Sequence, residues 1–136
     1  MPVRPLPLAA DAFMGAAIGY LAPGKTYDVH FHYALEQLTF VVKGVIELTT
    51  NGEHQQLRAG DAVTNPPGAT LQFANPGSEP AEVLFVCAPP FPPDGADVAV
   101  VDRHRPLSET ERARQAERLD WALDHFRRLV EARRPR

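Results

Sequence analysis

Between residues 16 and 88 the chain never carries an apolar run far before a turn signal cuts it, and that punctuation constrains the fold more than any other feature. Short β-like runs cover residues 17–22, 26–32, 38–43, 45–50, 54–57, 62–64, 70–74 and 81–87. Short strands at such close spacing are the pattern of a sandwich or barrel. Asn51-Gly52 lies between two of these runs. Both central positions of a type I′ turn need positive φ, so this pair is a strong hairpin signal. Gly60-Asp61 and Pro66-Pro67-Gly68 supply two further turns, and a proline there is incompatible with a central strand.

After residue 88 the character changes. Pro89, Pro90, Pro92, Pro93 and Pro106 predict an extended, irregular connector running over the barrel surface, because proline fixes φ and removes a donor. Ser108, followed three positions later by Glu111, forms a capping box ahead of a long helix. In that helix Ala116, Leu119, Leu123, Phe126 and Val130 recur at three- and four-residue spacing, with Ala122 and Leu129 beside them. The result is one apolar stripe, which must dock either on the barrel of the same chain or on a second subunit. The reading is one structural domain: a barrel over 1–90, a proline-rich connector over 91–107 and an amphipathic helix over 108–134.

Length fits one core, since 136 residues lie within the usual range for a single compact domain. Apolar runs fall far short of the roughly 18 residues a membrane span needs, and the start shows no basic region leading into a hydrophobic stretch. Cys87 is the only cysteine, which excludes an intramolecular disulfide and a zinc site built on several thiolates. A cytoplasmic protein with no membrane partner is the expectation. Net charge is −3, but residues 1–102 carry four basic and eleven acidic side chains while 103–136 carry ten and six. The tail arginines Arg112, Arg114, Arg118, Arg127 and Arg128 alternate with Glu109, Glu111, Glu117, Asp120 and Asp124. That alternation describes a solvated helix face with internal ion pairs and no nucleic-acid partner.

Within the second run stands His30-Phe31-His32. Side chains alternate faces along a strand, so both imidazoles point the same way, which is how one strand donates two metal ligands. Tyr27, Val29 and Phe31 take the opposite face. All three are apolar or aromatic, so that outer face is expected to be covered as well, by a partner sheet, a second subunit or the tail helix. With the unplaced helix stripe, this makes a homodimer the expected assembly.

The histidines stand in a longer pattern. Gly24, five residues, His30-x-His32, four residues, Gln37, six residues and Gly44 resemble the first motif of the cupin superfamily. Gly60, five residues, Pro66-x-Gly68, two residues to position 71 and three more to Asn75 resemble the second. The resemblance covers roughly residues 15 to 90, and a two-part match is far more specific than a lone tripeptide. It implies an all-β double-stranded β-helix, or jelly-roll barrel, here with a C-terminal α-helix, and metal ligands inside the barrel.

Two departures fall on ligand positions. Gln37 stands where the family normally has glutamate, and Leu71 where it normally has histidine. Glu36 satisfies the spacing from the histidines but stands one residue too far from Gly44, whereas Gln37 satisfies both spacings. The implied site is therefore His30, His32 and Gln37 around a divalent transition metal such as zinc, nickel, manganese or iron. Three neutral ligands leave the ion its full charge and open positions, a weakly held Lewis acid rather than a closed structural centre. The alternative is that metal binding is lost and the histidines are polar pocket residues. His54 and Cys87 are further possible donors, although His54 belongs at a hairpin end and a buried cysteine usually only packs. His104 and His125 fall outside both motifs.

Fold does not fix function. The leading expectation is a small metal-dependent lyase or isomerase acting on a small carbonyl or carboxylate compound, with Glu36, Tyr33 or Tyr27 as acid or base. Leu38, Phe40, Leu71, Phe73 and Cys87 are expected to line the pocket. The rival is a non-catalytic binding cupin. A third possibility is an iron-dependent dioxygenase, which the amide at position 37 weakens.

Overall fold

The computed structural model describes residues 1–6, 12–92 and 94–135, and these form ten strands and one helix. In chain order they are β1 (Val3–Pro5), β2 (Gly15–Leu21), β3 (Val29–His32), β4 (Glu36–Lys43), β5 (Val45–Thr50), β6 (Glu53–Arg58), β7 (Ala62–Asn65), β8 (Leu71–Ala74), β9 (Ala81–Ala88), β10 (Val98–Val101) and α1 (Glu109–Arg133). Two five-stranded sheets face each other, ordered β1-β2-β9-β4-β7 and β10-β3-β8-β5-β6. The ladders are antiparallel throughout. This is a jelly roll with a C-terminal helix.

Alternation within the strands decides what lies between the sheets. Along β9, Ala81, Val83, Phe85 and Cys87 are buried while Glu82, Leu84, Val86 and Ala88 turn outward, and β4 alternates likewise with Gln37, Thr39 and Val41 inside. Leu21, Val41, Ile46, Leu48, Leu57, Leu71, Phe73, Val83 and Phe85 form a common core. Packing is tight enough at Gly19 that an added Cβ would stand 2.6 Å from the Phe85 ring, so glycine lets that ring lie flat on β2. The hairpin between β5 and β6 turns on Asn51 at φ 50° and Gly52 at φ 85°, the positive pair that a type I′ turn demands.

Three sequence expectations need correction. Residues 26–28 are not strand, and only a single bridge from Thr26 to Ala74 marks them. The segment read as an irregular connector contains β10, which pairs with β3 over its whole length; the run Val98-Ala99-Val100-Val101 is short and hidden behind prolines. The stripe on α1 is the third correction. The capping box holds, with Ser108 Oγ accepting from the Glu111 N–H at 3.2 Å and Glu111 Oε1 accepting from the Ser108 N–H at 2.8 Å. Yet Ala116, Leu119, Leu123 and Val130 are exposed, Leu123 at 65%, and Ala122 and Leu129 are the buried pair.

The reason is that the docked face is amphipathic in its own right. Arg118 reaches Asp97 at 3.4 Å, His125 Nε2 reaches the Ala12 carbonyl at 2.9 Å, and Phe126 stacks on Phe13 at 5.8 Å. Polar side chains with partners face the barrel of the same chain, so counting apolar letters picks the wrong side. Val29 and Phe31 are buried, and Phe31 meets Tyr33 edge-on beneath the Arg114 guanidinium of α1.

Candidate functional site

Against the core, sharing Phe73 and Phe85 with it, lies a cavity of about 280 Å³. Its wall consists of Met1, Val3, Pro5, Ala17, His30, His32, Leu35, Gln37, Phe73, Phe85, Phe91, Pro92, Gly95, Asp97 and Val98. His30 and His32 come from β3, Gln37 from β4 on the opposite sheet, and the last five from the segment after β9. Strand alternation thus brings the three motif residues to one space.

His30 Nδ1 lies 3.4 Å from the Asp28 carbonyl. A carbonyl only accepts, so Nδ1 carries the proton and the Nε2 lone pair is left unengaged. The His32 ring stands edge-on to it at 5.3 Å. Burial lowers the proton affinity of both imidazoles, His32 to about 3 with a further push from His30, so both are neutral near pH 7. The Gln37 side chain is buried and makes no hydrogen bond among the described residues. Two neutral imidazoles and a free amide are a donor set that a divalent transition ion accepts. Among the described residues no group of three or more His, Cys, Asp or Glu side chains is placed to hold a metal, so coordination here would depend on the amide of Gln37. Leu71, 2% exposed, pairs with His30 in the ladder and presents only methyl groups beside it.

Several candidates fall elsewhere. Leu38 and Phe40 sit on the outer face of β4, alternating with Gln37, so they do not line the cavity. Glu36 is exposed on that same outer face. Tyr33 alternates with His32 and faces α1, and the Tyr27 hydroxyl accepts from the Ala22 N–H at 3.0 Å. None of these three reaches the cavity as acid or base; proximity along the chain is not proximity on a pleated strand. Phe73 lines the wall. Leu71 and Cys87 are buried inside the barrel but outside that wall, and burial pushes the Cys87 thiol up to about 12, which leaves it a packing group. His54 bonds Thr49 Oγ1 at 2.9 Å from the exposed strand β6.

Sequence reading missed the wall residues Phe85 and Phe91 and, among polar groups, Asp97. It is 2% exposed yet lines the cavity. Its carboxylate accepts from the backbone N–H groups of Ala34 and Leu35 at 3.0–3.2 Å. No local signal marks it, because those partners lie 62 and 63 positions away. Among the described residues the wall carries no lysine or arginine.

Residues 17–87 match the family described as Cupin domain. Among curated proteins, polyketide synthase CurC of Streptomyces cyaneus is 34% identical over 84 residues, covering 62% of this chain and 53% of the relative. Protein SchB of Streptomyces halstedii is 30% identical over 84 residues, covering 62% and 59%. The match therefore spans little more than half the length of these relatives. Among solved structures, a Cupin 2 conserved barrel domain protein from Salinispora arenicola superposes with a TM-score of 0.57 at 22% identity, covering 85% of this chain and 82% of that one. The DMSP lyase DddQ from Ruegeria pomeroyi gives 0.59 at 25% identity, covering 64% and 46%. With both motifs in place, the matched segment running from β2 to β9 and the two-sheet barrel built around it, the chain belongs to the Cupin domain family.

Proposed function

We propose that this chain is a metal-binding cupin enzyme of the lyase or isomerase type, acting on a small, uncharged, carbonyl-bearing compound with an apolar body. The observation that carries the proposal is the shared cavity, in which His30, His32 and Gln37 present unengaged donors to a space otherwise walled by Phe73, Phe85, Phe91 and aliphatic groups. The apolar lining of the described wall favours the carbonyl half of the expected carbonyl or carboxylate class. A cavity of about 150 Å³ lined by apolar groups already holds benzene; this one, nearly twice as large, suits a ring compound of one or two rings. The polyketide synthase name of one relative is in keeping with a carbonyl-bearing compound, and the lyase name of one structural neighbour with the reaction type alone.

A divalent ion held by His30, His32 and Gln37 would supply Lewis acidity toward the carbonyl oxygen. The chain itself does the rest. The three phenylalanines bind and orient the apolar body and exclude water, which strengthens every polar contact inside. The buried imidazoles are neutral and need lose no proton to engage a metal.

A second reading is favoured by Leu71, whose methyl groups stand beside His30 in place of a further donor: a non-catalytic cupin that binds the same class of compound. Metal analysis separates the two. After reconstitution with zinc, nickel, manganese or iron, near one ion per chain is expected, lost in His30→Ala with the thermal transition retained. A wild-type protein that stays metal-free defeats the enzyme proposal and leaves the binding one. Oxygen uptake with a ring substrate and iron would instead favour dioxygenase chemistry.

We also propose a cytoplasmic homodimer. No described helix is long and apolar enough to cross a membrane. On the outer face of the first sheet, Ile18, Leu84 and Phe40 form one cross-strand row and Ala16, Val86 and Leu38 the next, with Tyr20 and Val42 exposed beside them. Three strands of seven or eight residues offer a face of roughly 350 Å², the size of the largest patch on a typical monomer, which is often functional.

A further inference from the structure

His32 Nδ1 is buried and has no hydrogen-bond partner among the described residues. Asp97 Oδ2 stands 4.0 Å from it, outside hydrogen-bond range but with its charge directed at that nitrogen. Asp97 is fixed from three sides, through its carboxylate and its backbone. The N–H groups of Ala34 and Leu35 donate to its oxygens, the Tyr33 N–H donates to its own backbone carbonyl at 2.8 Å, and Arg118 Nε of α1 approaches Oδ1 at 3.4 Å. The three residues that follow His32 are thus wrapped around Asp97, and the helix closes the wrap from outside. Arg118 is itself braced, its guanidinium lying 4.4 Å over the Trp121 ring.

A neutral imidazole carries its proton on one of two nitrogens. With the proton on Nε2, the Nδ1 lone pair of His32 would face a carboxylate oxygen inside a buried site, where repulsion between negative groups is poorly screened. With the proton on Nδ1, an N–H dipole faces the carboxylate and the Nε2 lone pair is free for whatever enters the cavity. We infer that Asp97, held by residues 33–35 and Arg118, is a positioning residue that fixes His32 as the Nδ1–H tautomer. The 4.0 Å gap closes to a hydrogen bond when Nε2 is engaged, as polar contacts in unliganded sites commonly tighten on binding. Asp97 would then be the partner that ligand histidines typically find on their far nitrogen. His30 has its own partner in the Asp28 carbonyl, so both imidazoles would present Nε2.

The inference goes beyond the proposed activity and is tested without it. Nitrogen-15 NMR of imidazole-labelled, metal-free protein at pH 8 reads the tautomer of each histidine, and His32 is expected as Nδ1–H. In Asp97→Asn, whose amide can donate toward Nδ1, and in Asp97→Ala, the population is expected to move toward Nε2–H while His30 stays unchanged. Titration with Co²⁺ is the second measurement, with affinity expected to fall about 10- to 100-fold in both variants, as for other lost carboxylate partners of ligand histidines. A wild-type His32 found as Nε2–H overturns the inference even if neither variant folds, and so does a tautomer indifferent to position 97 in folded variants. A wild-type protein that takes up no Co²⁺ overturns the metal proposal alone, since the NMR result still decides the role of Asp97.

Discussion

At the scale of single residues, the site combines groups whose ionisation is set by burial. The unfolded chain binds protons at ordinary histidine affinity, near 6.5, whereas folded His32 resists protonation down to about 3 and His30 is lowered too. Between those values the unfolded state carries more protons, so stability is whole above pH 6.5 and declines as pH falls through the window. Urea midpoints measured from pH 7 to pH 4 should drop steadily in the wild type and less steeply in His32→Gln; equal slopes would mean that His32 titrates normally. The two histidines were legible in the sequence because strand alternation is a local rule, and Gln37 because the spacing to the flanking glycines resembles the family's first motif. Glu36 and Tyr33 misled for the same reason read the other way: each sits one position from a cavity residue and therefore on the opposite face. Asp97 was illegible because what makes it notable is a long-range register between β10 and β3.

At the scale of elements, the helix shows how an amphipathic pattern can mislead. Its start was readable from the capping box, a device contained within four residues. Its docked face was not, since Arg118 and His125 become interior-facing groups only once Asp97 and the Ala12 carbonyl are there to receive them. The two sides of α1 are predicted to respond differently to substitution. Leu129→Ala removes a side chain that is 4% exposed and should cost about 2–5 kcal/mol. Leu123→Gln, at a position 65% exposed, should stay within about 0.5 kcal/mol. Chemical denaturation of both variants checks this, and the reverse order would mean that the stripe, not the amphipathic face, is what docks. The hairpin at Asn51-Gly52 and the alternation of β9 were readable in full, both being fixed by backbone chemistry within one or two residues.

At the scale of the whole molecule, the outer rows of β2, β9 and β4 are predicted to join two copies. Sedimentation velocity should give a concentration-dependent dimer that Phe40→Glu converts to monomer while the circular dichroism spectrum stays unchanged; a wild type that sediments as a monomer throughout would end that proposal. The cavity leads to a different consequence. The matched family segment stops at Cys87, but of the fifteen wall residues among those described, eight, Met1, Val3, Pro5, Phe91, Pro92, Gly95, Asp97 and Val98, lie outside it. The segment that defines the family therefore supplies the two histidines, while more than half of the described wall around them comes from the flanks. Selectivity is accordingly expected to be adjustable from the flanks, and replacing Phe91 or Val98 should change which compound fits while His30 and His32 stay in place.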